Sequence, residues 1–154
     1  MPTFFEIACL EAEDGMLAGD GGPFGAIVVK DNKIIGKGHN KVISSHDSTA
    51  HAEITAIREA EQALGTHDLS GCEIYTTCYP CPMCLGAIMW ARISKVHYAC
   101  TAEEAAYIGF DDQAFYKAFL TPDSNQFITM EHHDIPESRS LFQKWLELDN
   151  RKMY

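Results

Sequence analysis

Basic residues are scarce in this chain: 12 Lys and Arg face 22 Asp and Glu among 154 residues, a formal net charge of −10. Affinity for DNA or RNA rests heavily on cations that displace phosphate counterions, so no nucleic-acid partner is expected. One local cluster runs the other way: Lys30, Lys33, Lys37 and Lys41. The last three share parity and would project from one side of an extended strand, where a solvated face accounts for them. Long apolar runs are missing too. None approaches the roughly 18 residues of a membrane span, and the first residues lack the basic-then-apolar pattern of a secretory leader. At 46% hydrophobic and 22% charged residues, disorder is excluded. A chain this long buries roughly 70% of its unfolded surface and can hold one core unaided.

A disulfide framework is also missing. Of six cysteines, Cys78, Cys81 and Cys84 crowd together, while Cys9, Cys72 and Cys100 stand apart in apolar segments. Without a leader, clustered cysteines point to metal or redox chemistry and isolated ones pack as small hydrophobes. The expected compartment is the reducing cytoplasm.

Local signals predict the elements. Thr3-Phe4-Phe5-Glu6 is a capping box opening a helix with Ile7, Leu10 and Met16 at near-helical spacing, broken at 19–22 by glycines. Residues 25–30 and 33–38 are β-prone runs about Asp31-Asn32, a hairpin. A polar loop follows at 42–49. Residues 51–64 form a helix ended by Gly65. Residues 73–77 form a strand, Pro80 opens a helix to about Ala91, and 95–100 form an inner strand with Val96, Tyr98 and Cys100 on one face. A short helix at 102–108 closes at Gly109, and 127–130 is the last strand. Residues 136–149 form an amphipathic helix burying Leu141, Phe142, Trp145, Leu146 and Leu148. Five strands among helices predict a three-layer α/β arrangement around one mixed sheet.

Two motifs sit at helix starts: His51-Ala52-Glu53 and Pro80-Cys81-Pro82-Met83-Cys84. Cys81 and Cys84, at i and i+3 of a first turn, project to one side. A helix N-terminus there favours thiolate, the form that binds zinc. With His51 they supply three ligands and leave a fourth tetrahedral position open, the pattern of catalytic sites; Cys78 is the candidate that would close the site as a structural one. A redox Cys-x-x-Cys pair is the other reading, disfavoured by the flanking prolines and the third cysteine. Glu53, two residues from His51, sits about 200° around an ideal helix, yet from a first turn it can reach the site. Two thiolates neutralise zinc, so the metal acidifies water less than a three-histidine site does. A carboxylate is then needed to take the proton and pass it to a leaving amine.

The His-x-Glu and Pro-Cys-x-x-Cys pair resembles the signature of the zinc-dependent cytidine/deoxycytidylate deaminase superfamily. Within it, Gly22-Pro23-Phe24-Gly25-Ala26, Thr49-Ala50-His51-Ala52-Glu53, Cys81 to Ile88, Ile108-Gly109-Phe110-Asp111-Asp112 and Lys152-Met153-Tyr154 are similar to the bacterial guanine deaminases. One departure is Tyr79, where many relatives carry Glu. The resemblance implies an α/β/α cytidine-deaminase-like fold with a central mixed five-stranded sheet. It implies one zinc per subunit on His51, Cys81 and Cys84, with Glu53 shuttling a proton and Asp112 assisting delivery or holding the substrate. Phe24 would stack on a purine, Asn40 would hydrogen-bond its polar edge, and Trp90 and Tyr154 would be further substrate contacts. The implied activity is hydrolysis of guanine to xanthine and ammonia in a cytoplasmic homodimer. In it, the segment of about 136–154 of a single 1–154 domain is exchanged, and Tyr154 covers the partner's site. Other readings stay open: a tRNA adenosine or other aminoazine deaminase, or a non-catalytic structural zinc module. Phe24 could be core, Asn40 a turn cap, Asp111 and Asp112 caps of the helix near Phe115, and Tyr154 an exposed tail.

Overall fold

Helix α1 (Phe4–Leu17) starts where its capping box predicts. The Thr3 hydroxyl accepts from the Glu6 N–H at 3.2 Å, and the Glu6 carboxylate accepts from the Thr3 N–H at 2.6 Å. The computed structural model describes residues 1–122 and 125–154. The chain divides into two units, Met1–Tyr116 and Lys117–Tyr154.

In the first unit, β1 (Gly25–Lys30) and β2 (Lys33–His39) form the predicted hairpin. Asp31 and Asn32 both take positive φ, 48° and 60°. Two left-handed residues make the tight turn whose twist matches that of the flanking strands, and these short polar side chains tolerate it. β3 (Glu73–Cys78) pairs antiparallel with β1, and β4 (Lys95–Cys100) pairs parallel with β3, giving a mixed sheet of order β2-β1-β3-β4. Alternation along the strands sends Ala26, Val28 and Ile74 to one core and Ile27, Val29 and Tyr75 to the other. Ala52, Ala56, Ile57 and Ala60 of α3 (Ala52–Leu64), with Ile88 of α4 (Pro82–Trp90), fill the first core; Ala8 of α1 anchors the second. The layers are therefore α/β/α, as expected. Gly38 lets α3 lie close on β2: a Cβ there would sit 2.6 Å from both the Ala52 carbonyl oxygen and the Ala56 nitrogen. Gly65 ends α3 in the left-handed region, as its position predicts. α2 (Val42–Ser45) is a single turn inside the expected loop. α5 (Ala102–Tyr107) has its own capping box, Thr101 with Glu104, and α6 (Gln113–Ala118) crosses the boundary between the units.

Three expectations need correction. The sheet has four strands among the described residues, not five. Phe127–Met130 is not a strand, because the Asn125 side-chain oxygen accepts from the Phe127 and Ile128 N–H groups, donors a ladder would have used. β4 is an edge strand, not an inner one, so Tyr98 and Cys100 are exposed. In the second unit α7 (Pro136–Glu147) forms, but Leu141, Phe142, Trp145, Leu146 and Leu148 are exposed in the single chain. The pattern makes the helix amphipathic without supplying a surface to cover its stripe. Among the described residues no helix is long and apolar enough to cross a membrane.

Candidate metal and catalytic site

The site lies where two helices begin. His51 is the N-cap of α3, with extended backbone (φ −70°, ψ 161°), so the helical 200° between it and Glu53 does not apply. Glu53 joins the donors through a hydrogen bond from Cys84 to its carboxylate. Cys81, not Pro80, begins α4: it is the N-cap, Pro82 occupies the first turn, and the Cys81 sulfur accepts from the Cys84 N–H at 3.5 Å. Proline there gives up an N–H that the helix would leave unpaired anyway.

His51 Nδ1 lies 3.5 Å from Cys81 Sγ and 3.5 Å from Cys84 Sγ, and the three donor atoms lie within 4.8 Å of one another. Zinc–nitrogen and zinc–sulfur bonds at a tetrahedral angle put N and S roughly 3.5 Å apart. One imidazole and two sulfurs thus fit a single zinc ion, and among the described residues no fourth donor joins them. Cys78 is buried and directs its thiol to the Thr101 carbonyl, while burial pushes its pKa up to about 11. Its thiol is not among the grouped donors, which leaves three protein ligands. A hydrogen bond from Cys84, followed by one from His51 and opposed by burial, pulls the Cys81 thiol down to about 4, and the same bond pushes Cys84 up.

Glu53 is 6% exposed. Burial raises its pKa above the usual range, against hydrogen bonds from its own backbone, Thr76 and Cys84. Asp112, just before α6, has its pKa raised by burial and then by the charge on Cys81. Its Oδ1 is buried without a hydrogen-bond partner, so that oxygen does not cap α6; the Asp112 carbonyl starts the helix instead, accepting from Phe115 and Tyr116.

The expected substrate residues divide. Asn40 N–H donates to the Phe24 carbonyl at 3.1 Å, placing these two side by side. Asn40 Oδ1 accepts from Val42 N–H at 3.0 Å, which leaves its amide hydrogens to donate elsewhere. Gly21 makes room, since a Cβ there would collide with Asn40 Oδ1. The segment before Phe24 is held by His39, whose ring nitrogens meet Asp20 Oδ2 at 2.7 Å and Glu11 Oε2 at 3.3 Å. Trp90 is at the other end of α4 from the zinc donors, 63% exposed, with the Arg92 guanidinium 5.8 Å above its ring. Tyr154, 70% exposed, belongs to the second unit.

Three residues at the site were assigned no role by the motifs. Phe110 meets Phe24 edge-to-face at 5.0 Å. The Tyr116 hydroxyl donates to the Pro80 carbonyl at 2.5 Å, fixing the loop before Cys81. Thr76 donates to Glu53 Oε1 at 2.8 Å. Two of them carried a signal: Phe110 lies in the Ile108–Asp112 segment, and Thr76 is a polar residue on the inward face of its strand with Ile74.

Fold and donor set together define a zinc-dependent deaminase. The zinc-binding region of cytidine and deoxycytidylate deaminases matches residues 2–100, and the chain belongs to that family. Among curated proteins it is similar to guanine deaminase of Bacillus subtilis, at 48% identity over 99% of this chain and 97% of the relative. The solved structure of guanine deaminase from Bacillus subtilis superposes with a TM-score of 0.94, at 47% identity, over 98% of this chain and 96% of that one. A solved guanine deaminase from Nitrosomonas europaea matches at TM-score 0.66 and 34% identity, over 71% of this chain and 63% of that one. The tRNA-specific adenosine deaminase of Aquifex aeolicus is 34% identical over 94% of this chain and 92% of the relative.

Proposed function

We propose that the protein hydrolyses guanine to xanthine and ammonia. The observation that carries this reading is the full-length likeness to a guanine deaminase, in sequence and fold, around a complete three-donor site. His51, Cys81 and Cys84 would hold the zinc, which would supply Lewis-acid activation of water. Glu53 takes one proton from the water and passes it to the ring nitrogen beside the carbon bearing the amino group, then takes the proton of the new C–OH group and delivers it to the amine, which leaves as ammonia as the C–N bond breaks. Its raised pKa suits a group that must gain and lose a proton in each cycle. Phe24 stacks on the purine, the Asn40 amide donates to its polar edge, and Asp112 Oδ1 takes a substrate hydrogen bond or relays a proton. A neutral planar substrate asks for aromatic walls and few charges, in keeping with a chain of net charge −10.

The same reading makes the protein a cytoplasmic homodimer, in which the thiols stay reduced. The 136–154 segment is exchanged and Tyr154 covers the partner's pocket. Support comes from the apolar stripe of α7, which is uncovered in one chain and needs a partner surface. The deciding experiment is ammonia release from guanine, guanosine, adenine, cytosine and aminotriazines, with inosine formation in tRNA alongside. Turnover of guanine above all others supports the reading. Inosine in tRNA with no action on guanine overturns it.

A further inference from the structure

We infer that Thr76 is a positioning residue for the Glu53 carboxylate, tying down Oε1 so that Oε2 is the oxygen that takes and releases the proton. The inference rests on the reading of Glu53 as the shuttle. Thr76 lies in β3, is 1% exposed, and donates its hydroxyl to Glu53 Oε1 at 2.8 Å. A glutamate side chain has three rotatable bonds, and burial alone does not choose among its rotamers. A charge-assisted hydrogen bond from a strand in the middle of the sheet does choose, because neither β3 nor the first turn of α3 can shift without disturbing the core. The surroundings sharpen the role. Thr76 Oγ1 also lies 3.0 Å from the Cys78 carbonyl oxygen. One hydroxyl proton serves one acceptor at a time, and the shorter contact, at 2.8 Å, is the one to Glu53.

Two pairs of variants isolate the hydroxyl: wild type against Thr76→Val, and Thr76→Ser against Thr76→Ala. In each pair the member without the hydroxyl should lose about 10- to 100-fold in kcat on guanine, the value of a hydrogen bond to a charged group. KM should stay within about twofold and zinc content should not change, since neither the stacking residues nor the metal donors are touched. The Ser variant should recover most of the wild-type kcat. A Thr76→Val kcat within about twofold of wild type, equal kcat for Ser and Ala, or a loss carried by KM overturns the inference. If Thr76→Val does not fold, the Ser and Ala pair decides alone. Glu53→Gln, measured beside them, separates the two failures. An active Glu53→Gln enzyme refutes the shuttle reading itself, whereas a dead one with unimpaired Thr76 variants refutes only the role of Thr76.

Discussion

Replacing Glu53 by Gln removes a proton acceptor while changing almost nothing else. The amide keeps the shape of the side chain, and its oxygen can still accept the Thr76 hydroxyl that now reaches Oε1. Losing a positioned general acid and base costs about 10² to 10⁴ in rate. Glu53 is almost completely buried, so bulk water cannot replace it, and turnover should fall by at least about 10³, equivalent to about 4 kcal/mol of barrier. Stability should move the other way. Burial is the largest influence on this carboxyl and disfavours its charge, so a neutral isostere relieves a penalty. The melting temperature should stay level or rise. Three measurements settle it: ammonia release, zinc per chain by elemental analysis, and thermal unfolding. A folded, zinc-loaded variant with more than about a tenth of the wild-type rate would refute the reasoning.

Cys84→Ala and Cys81→Ala should each lose zinc, because two donors from this set cannot hold the ion as three do; zinc content equal to wild type would sink the ligand assignment. Asp112→Ala should cut turnover with little change in melting temperature, since Oδ1 bonds to nothing that holds the fold; intact activity in a variant destabilised by about 0.5–2 kcal/mol would mean a cap instead. Mixing Glu53→Gln chains with chains lacking Met153 and Tyr154 should restore activity, because a tail lent across the dimer completes the competent site; persistent inactivity after co-refolding would reject the exchange. The Asp20 carboxyl is held below its usual range first by the hydrogen bond from His39. A lowered folded-state pKa gives stability that is fully present above the unfolded value of 3.8 and lost as pH falls through the folded one. Asp20→Asn should therefore melt below wild type at neutral pH, with the gap closing under pH 3.8; a gap that persists in acid would show that the charge contributes nothing.

Signals confined to a few neighbouring residues were determined by the sequence alone. The Thr3 capping box, the Asp31-Asn32 turn and the Gly65 stop obey backbone sterics and hydrogen bonding over four residues or fewer, so no distant contact was needed to read them. The zinc donors were legible for a related reason: each motif opens a helix, and a first turn orients its side chains by local geometry. Tertiary structure decided what local rules leave free. Thr76 met Glu53, and Phe110 met Phe24, across large separations along the chain that no periodicity encodes. β4 became an edge because nothing else in the described chain pairs with it, and Asn125 took the donors that would have made Phe127–Met130 a strand. For α7 the pattern fixed a helix with one apolar face, but a stripe of side chains names no partner; only the surface that covers it can decide where that helix belongs.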